Sequence, residues 1–349
     1  MKIIHTADIH LGHRLRTGDI FAQLKKLIKI IKEEKVNALI ISGDLFEKEW
    51  SAISSLRENL RELFSEIPET EIFILPGNHD ELSPYRDEFY YGSNVNIIKR
   101  RPFEIRKLGD IDIYFFPFHE KGSSQEMVKV IKSNPSKAKF KIGVAHGTYM
   151  DDKEIRDHLI FQNEGYYPIF SSDIDKMNLD YLALGHFHYT RLWKVGNTWC
   201  GYPGSIEVLS FKEPVERKVI MIETNDKLSP KLMNLGMQKR IGEIVIDVDE
   251  IDRLEEVRKD YDILRVIVTG IVKNEKEIIK KLNNLKKELD IYEIKNLTKS
   301  FASIEETKLG KMIKEKIDKK IEKEPERKEY WKKVLISGFE FIEQSKIRK

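Results

Sequence analysis

The sequence predicts an α/β fold. Short runs of β-branched residues alternate with stretches of helical periodicity, and most of these runs end in a polar cluster. Hydrophobic residues make up 40% of the 349 residues, which is enough to bury cores between sheets and helices. At roughly 100 to 200 residues per domain, this length predicts two or three compact units.

The first two thirds of the chain carry the alternation most clearly. KIIHTADIH, NALIISGD and EIFILPGNHD are typical of buried strands that run into loops, and stretches of helical periodicity separate them. KFKIGVAHG and DYLALGHFH are two more apolar strands that end in histidines, and KVIMIET is a late strand. We therefore place a first domain at residues 1–236.

The last third divides into two parts. Residues 237–302 read as a small β-α-β-α-β unit. Residues 303–349 contain two helical stretches on either side of Pro325, which predicts a helical hairpin. A helical pair of this size makes too small a core to be stable alone, so its apolar face must pack against the rest of the chain or against a partner protein.

Composition excludes several classes of protein. Lys plus Arg is 61 and Asp plus Glu is 58, a net charge of +3, which excludes histone-like and acidic disordered chains. No apolar run approaches the roughly 20 residues of a membrane-spanning helix, and the first residues lack a signal-peptide pattern. The single cysteine, Cys200, excludes an internal disulfide or a CxxC zinc site. These features predict a cytoplasmic protein with no membrane partner.

Chemistry-bearing side chains recur at the ends of the predicted strands. Asp8 and His10 are two residues apart, as are His186 and His188, so in extended backbone each pair projects to one side. Strand ends on one sheet edge converge, which brings distant residues into one site. Seven potential ligands result, enough for two divalent ions with Asp44 as the bridge: Asp8, His10, Asp44, Asn78, His146, His186 and His188.

Two ions held by imidazole and carboxylate suit phosphoester hydrolysis, because they polarise a phosphoryl group and lower the pKa of bound water. Histidine-rich ligation favours manganese, iron or zinc over magnesium, and manganese is our expectation. His79 follows the predicted ligand Asn78 directly and should point towards the substrate. There it would stabilise the transition state or protonate the leaving oxygen.

The order of the motifs DIH, GD, GNHD, H and GHFH resembles the calcineurin-like metallophosphoesterase superfamily. TADIHLGH, SGDLF, LPGNHD, LALGHFH and GYPGSIEVLSFKE are similar to one branch, the SbcD/Mre-type nucleases of double-strand-break repair, over residues 1–236. The resemblance implies that Asp8, His10 and His188 hold one ion, that Asn78, His146 and His186 hold the other, that Asp44 bridges them, and that His79 is the catalytic histidine. One departure is Glu47, where some relatives carry histidine or aspartate.

The same resemblance implies a four-layer α/β/β/α sandwich with a small α+β capping domain over residues 237–302 that positions DNA. The C-terminal helical hairpin, residues 303–349, would dock on an SMC-like ATPase of the SbcC/Rad type, and the chain would form a homodimer. The implied activities are manganese-dependent exonuclease on duplex DNA ends and endonuclease on single strands.

Four residues are candidates for DNA contact. Arg14 and Arg16 would neutralise phosphates near the metals, with a solvated loop as the alternative. Tyr85 and Arg86 mix aromatic and basic character, with packing or a dimer contact as the alternative.

Two other functions stay open. A small-molecule phosphodiesterase or nucleotidase would use the same two ions. A scaffold that kept the fold and lost the chemistry would have lost ligands, and none of the seven is missing.

Overall fold

The chain folds into two compact units, Met1–Gln238 and Lys239–Lys349. The computed structural model describes residues 1–14, 16–48, 54–80, 85, 89–151, 167–272, 274–300, 304 and 307–347. Among the helices within these ranges, none combines the length and the hydrophobicity that crossing a bilayer requires.

The first unit contains a six-stranded sheet whose core is parallel. Its strands are β1 (Lys2–Thr6), β2 (Ala38–Ser42), β3 (Glu71–Leu75), β4 (Val95–Ile97), β13 (Lys218–Thr224) and β14 (Leu228–Asn234). Their order is β14-β13-β1-β2-β3-β4, with β1 to β4 parallel and β13 and β14 antiparallel at one edge.

A second six-stranded sheet consists of β5 (Glu104–Leu108), β6 (Ile111–Phe116), β7 (Phe140–His146), β10 (Tyr181–Gly185), β11 (Arg191–Val195) and β12 (Thr198–Tyr202). Its order is β11-β12-β10-β7-β6-β5, in which the four central strands are parallel. A separate short pair consists of β8 (Thr148–Met150) and β9 (Pro168–Phe170).

Three apolar cores hold the layers of this unit together. The helices α1 (Thr17–Glu34) and α2 (Ser54–Ser65) cover the outer face of the first sheet, and α3 (Ser124–Ser133) and α4 (Ser171–Met177) cover that of the second. Between the sheets, Ile40 and Phe73 pack with Phe115 in a core of their own. The predicted four-layer α/β/β/α sandwich is confirmed.

Helix α1 shows how the periodicity of the sequence produces this packing. Leu24, Leu27, Ile28 and Ile31 recur on one face and are buried, while lysines occupy the opposite face. The helix ends where Lys35 adopts a left-handed conformation with φ of 51°. Its buried face contributes much of the core that covers the first sheet.

The second unit begins with a parallel three-stranded sheet, β15 (Ile241–Asp247), β16 (Ile263–Thr269) and β17 (Glu293–Asn296). The helices α5 (Leu254–Val257) and α6 (Glu275–Glu288) pack on it through a core that includes Leu264, Val266 and Val268. Short 3-10 segments cover Val248–Arg253, Arg258–Asp260 and Pro325–Arg327. The Asn274 side chain caps α6 by accepting from two backbone N–H groups.

The last two helices, α7 (Lys308–Lys323) and α8 (Lys328–Ile347), pack together around Ile317, Leu335 and Phe339. They also contact the rest of the second unit: Ile271 joins their core, and Lys332 Nζ lies 3.0 Å from carboxylate oxygens of both Asp247 and Asp249. The helical tail therefore packs against its own chain. A separate boundary at residue 302 stays a prediction.

Candidate metal centre

The predicted ligands lie at the carboxyl ends of parallel strands in both sheets of the first unit. Asp8 and His10 follow β1, Asp44 follows β2, and Asn78 and His79 follow β3. In the second sheet, His146 ends β7, while His186 and His188 follow β10. Because β1, β2 and β3 run parallel to one another, as do β7 and β10, the ends of these strands reach one edge of each sheet, and the facing sheets bring the two groups together.

The seven side chains form two neighbouring sets. In the first set, which we call position one, Asp8, His10 and His188 have donor atoms within 4.8 Å of one another. The two histidines approach to 3.1 Å between their Nε2 atoms.

In position two, Asn78 Oδ1 lies 2.9 Å from His146 Nε2 and 3.3 Å from His186 Nδ1. Asp44 Oδ2 lies between the sets, 3.7 Å from His10 Nε2 and 3.3 Å from His146 Nε2. The structure therefore brings all seven predicted ligands together.

These distances fit divalent cations. Two ligands that each lie about 2.1 Å from one ion are about 3.0 to 3.4 Å apart in octahedral or tetrahedral coordination. Three separations within the two sets, between 2.9 and 3.3 Å, fall in or near that range. The donors are imidazole nitrogens and carboxylate or amide oxygens, which suit manganese, iron or zinc. The residues present fit a two-ion centre.

Burial makes this concentration of charge costly. Asp8, His10, Asp44 and His146 are each at most 2% exposed. Burial alone would raise the pKa of Asp44, but the charge on His146, its hydrogen bond and the charge on His10 hold this pKa below its usual range. Burial in turn opposes the charge on His146, yet Asp44 raises the pKa of His146 to about 9. The two side chains stabilise each other's charged forms.

Backbone strain marks the same loops. Asp8, His10 and Asp44 have φ of 51°, 52° and 53°, and His186 has φ of 111°. Non-glycine residues rarely adopt this left-handed region, which costs on the order of 1 to 3 kcal/mol each and persists where the surroundings impose it. Four of the seven predicted ligands are therefore held in strained conformations, as is typical of functional sites.

Two glycines allow the loops to approach closely. A Cβ on Gly43, whose φ is +99°, would overlap the His146 ring, and a Cβ on Gly77 would overlap the Asp44 carboxylate. Any other residue at either position would push apart side chains of the centre. The glycines of the GD and GNHD motifs thus allow the loops that carry Asp44 and His146 to lie this close to one another.

Asp80, the last residue of GNHD, ties two of these loops together. Its buried carboxylate accepts hydrogen bonds from the Gly77 N–H at 2.8 Å, the Phe46 N–H at 3.0 Å and the Tyr85 hydroxyl at 2.6 Å. Burial, followed by the charge of Asp44, raises the pKa of Asp80 to about 6 despite these bonds. This role of Asp80 was not predicted, although its position directly after a predicted active-site histidine was a usable signal.

His79 lies beside the centre and is exposed. Its backbone N–H donates to Asp44 Oδ1 at 2.9 Å, and its ring centroid lies 4.8 Å from that of His10. Its Nδ1 lies 2.8 Å from the Glu47 carbonyl oxygen, so Nδ1 carries a proton and donates it there. Nε2 is left as the ring atom that can meet a substrate.

Two predicted DNA contacts are corrected. Arg16 is only 3% exposed, and its guanidinium pairs with Glu207 at 2.9 Å and with Asp19 at 3.0 Å. Tyr85 is 1% exposed, and its hydroxyl is committed to Asp80. Both side chains therefore stabilise loops, because their polar groups bond to carboxylates of the protein itself.

The other two DNA-contact candidates stay predictions. Arg14 is exposed in the loop after Asp8 and His10, and Arg86 lies outside the described residues.

A family model and several curated proteins match this chain. The model of the calcineurin-like phosphoesterase family matches residues 1–190. The chain is 30% identical over 241 residues to a DNA double-strand break repair protein Mre11 of Methanopyrus kandleri, covering 61% of this chain and 50% of the relative. It is 28% identical over 299 residues to an Mre11 of Sulfurisphaera tokodaii, covering 80% and 68%.

A third relative is a subunit of the nuclease SbcCD from Staphylococcus saprophyticus, 25% identical over 286 residues, covering 73% of this chain and 74% of the relative. The match to the Methanopyrus protein spans only about half of that protein's length. The family model, in contrast, spans more than half of this chain and includes every residue of the centre. The chain therefore belongs to the calcineurin-like phosphoesterase family.

Proposed function

We propose that this chain is a manganese-dependent DNA nuclease of double-strand-break repair, an exonuclease on duplex ends and an endonuclease on single strands. The observation that carries the proposal is the convergence of the seven donor side chains in two sets with Asp44 between them. That arrangement supports phosphoester hydrolysis, and the names of the relatives supply DNA as the substrate.

Position one would hold one cation through Asp8, His10 and His188, position two would hold the other through Asn78, His146 and His186, and Asp44 would contact both. Bound there, two divalent cations polarise the phosphoryl group and make hydroxide available at neutral pH. The cations would also offset the negative charge of the buried Asp8 and Asp44 carboxylates, so that the site would not repel a negatively charged phosphodiester.

His79 would act on the leaving group. The hydrogen bond of Nδ1 to the Glu47 carbonyl orients the ring, and the bond of its backbone N–H to Asp44 holds it beside the centre. A protonated ring can then donate from Nε2 to the departing deoxyribose oxygen. Such a donor accelerates the step because an alkoxide is a poor leaving group.

The test measures mononucleotide release from linear duplex DNA by the metal-stripped chain after addition of Mn²⁺. We expect His79→Ala to lower the rate about 10² to 10⁴-fold and Asp44→Ala to reduce it to background. Glu66→Gln, an exposed change on the same unit, should leave the rate unchanged. Parallel assays with Mg²⁺, Zn²⁺ and Fe²⁺ test the choice of metal.

The small-molecule alternative predicts a different result. If intact DNA persists while bis-p-nitrophenyl phosphate is hydrolysed in an Asp44-dependent manner, the chain is a phosphodiesterase of the same family and the nuclease proposal is wrong. If neither substrate is cleaved under any metal, the scaffold alternative is supported.

An SMC-like ATPase is the proposed protein partner, since one relative is named as a subunit of the nuclease SbcCD. The helical tail packs on its own unit, yet it keeps Leu309, Met312 and Phe341 exposed by 54%, 49% and 74%. We expect Leu309→Ser with Phe341→Ser to abolish co-elution with the ATPase. Val245→Ser, an equally exposed apolar residue on β15, is the matched control. Unchanged co-elution of the double variant would contradict docking through these helices.

Homodimer formation is also proposed, through helices that follow the first two motifs. Light scattering of the purified chain at micromolar concentration should give twice the mass of 41.0 kDa. A monomer would contradict it.

A further inference from the structure

The histidines of position one have carboxylates behind them. The Nδ1 atom of His188 lies 3.0 Å from Glu213 Oε1, on the side of the ring away from the centre. The other oxygen of Glu213 accepts from the Leu209 N–H at 3.1 Å and from the Ser205 hydroxyl at 3.2 Å. Arg217, which is 1% exposed, lies 3.3 Å from the same oxygen. The Glu213 carboxylate is therefore fixed in place by several partners.

The second histidine of position one, His10, is arranged similarly. Its Nδ1 lies 3.0 Å from Glu47 Oε2, although the pair is not aligned as a good hydrogen bond. Glu47 is anchored by its own backbone, because its N–H donates to the Leu11 carbonyl at 3.0 Å and its carbonyl accepts from His79. The Glu47 side chain thus lies behind His10, and the Glu47 backbone carbonyl orients His79.

One histidine of position two, His146, is backed by a neutral group. The Nδ1 atom of His146 donates to the backbone carbonyl of Ser42 at 2.9 Å. The third donor of this position, Asn78, is a neutral amide, whereas position one contains the Asp8 carboxylate. The contrast between the positions is therefore one of charge.

A carboxylate behind an imidazole strengthens the imidazole as a ligand. It fixes the tautomer with the proton on Nδ1, leaves Nε2 to bind the cation, and makes Nε2 more basic. Glu47 also adds negative charge a short distance from the ion, whereas the Arg217 guanidinium offsets part of the charge of Glu213. Removing such a carboxylate typically lowers metal affinity about 10- to 100-fold.

We infer that Glu213 and Glu47 are positioning residues that make position one the tighter of the two cation sites, so that it fills first. The inference rests on the proposed two-metal function and deepens it. Position two would then fill at higher metal concentration, and the full centre would form in two steps.

The experiment titrates the metal-stripped full chain with Mn²⁺ at neutral pH and measures binding by calorimetry and by electron paramagnetic resonance. We expect two classes of site. At one equivalent of Mn²⁺ the spectrum should be that of isolated ions, and the spin-coupled signal of a pair should appear only as the second equivalent binds. A spin-coupled signal from the first additions onward would overturn the inference.

Variants assign the difference to the two carboxylates. Glu213→Gln and Glu47→Gln should each weaken the tight class about 10- to 100-fold and leave the weak class within about twofold. Glu216→Gln, an exposed neighbour 67% accessible that pairs with Lys218, is the matched control and should change neither class. Equal weakening of both classes, or none, would overturn the role of the carboxylates.

Two further measurements keep the result decisive. Circular dichroism of the metal-free variants checks folding, and if Glu213→Gln does not fold, Glu47→Gln carries the test. Metal binding is measured without DNA, so its outcome is independent of nuclease activity. Two unequal sites without DNA cleavage would refute the proposed function alone, while cleavage with two equal sites would refute this inference alone.

Discussion

The loop edge of the first unit and the open face of the sheet in the second unit use charged residues in opposite ways. At the loop edge, Asp8 and Asp44 are buried among imidazoles. On the three-stranded sheet, Arg265 pairs with Glu243 at 3.0 Å and with Glu293 at 2.6 Å, and all three side chains are partly exposed. Buried charges are expensive unless a cation or partner compensates them, whereas exposed pairs contribute little. The difference separates charges retained for chemistry from charges that serve solubility and register.

The backbone makes the same distinction. Four residues of the metal centre have strained positive φ, while Asp290 is the one non-glycine residue with positive φ in the described part of the second unit. Asp290 directly follows α6, where a left-handed residue is a common helix ending. In the first unit, the other described non-glycine residues with positive φ are Lys35, Tyr167 and Asn178, of which Lys35 and Asn178 end helices. The metal centre therefore contains the largest group of such residues among those described.

The largest effect that tests this contrast comes from removing one buried imidazole. We expect His146→Ala to lower nuclease activity by about 10³-fold or more, equivalent to about 4 kcal/mol of transition-state stabilisation, because the ligands act as a unit. Circular dichroism should show that both units still fold. Activity within tenfold of the wild type would show that position two is dispensable.

A purely structural change in the second unit should behave differently. Phe339 is fully buried between α7 and α8, so Phe339→Ala should destabilise this unit by about 3 to 5 kcal/mol. Hydrogen exchange should show faster exchange of the α7 and α8 amides, with metal affinity of the first unit unchanged. Phe341→Ala, 74% exposed on the same helix, is the control and should have little effect.

A buried histidine that is not a predicted ligand gives a pH-dependent test. His5 bonds to the Tyr181 hydroxyl at 2.8 Å and to the Ser42 hydroxyl at 2.7 Å, and burial lowers its pKa to about 3. Since the unfolded chain protonates first, near pH 6.5, stability present above that pH is lost progressively as the pH falls towards 3.

At pH 5 the expected loss from this one group is about 2 kcal/mol. Denaturant unfolding at pH 7 and pH 5, with chelator present, should show a smaller acid effect in His5→Gln than in the wild type. Identical acid effects in the two proteins would mean that other groups account for the sensitivity.

The smallest effect is expected at the exposed ion pairs of the second unit. Arg265→Ala should change the free energy of unfolding by less than about 1 kcal/mol, because solvent already screens these charges. Added salt should alter this small difference in free energy only weakly. A larger loss in denaturant unfolding would mean that this face supports the sheet more strongly than its exposure indicates.

The fold and the convergence of the seven predicted ligands could be predicted because they rest on local patterns. The strand-end positions of Asp44 and His146 follow from apolar runs that stop at a polar residue, and parallel strands bring such ends together. The helical face of α1 could be predicted for the same reason.

The supporting residues were not predictable in this way. Glu213 approaches His188 from a loop 25 residues away, and Arg16 meets Glu207 across 191 residues of sequence. Such contacts depend on how the loops pack, which no local periodicity encodes. The prediction for Tyr85 was wrong for a related reason. An aromatic residue within a polar, basic segment can be buried when a carboxylate, here that of Asp80, accepts a hydrogen bond from its hydroxyl.

The left-handed residues of the centre also have an evolutionary consequence. At φ near 50°, glycine is less strained than the aspartate at position 8 or the histidine at position 10. Replacing Asp8 by glycine would relieve backbone strain and remove a buried charge, but it would also remove the hydrogen bonds that its carboxylate accepts from the His186 N–H. Because these effects oppose each other, we expect the metal-free variant to be about as stable as the unchanged chain. Selection for thermal stability alone would therefore not retain aspartate at position 8, whereas the proposed chemistry requires a ligand there.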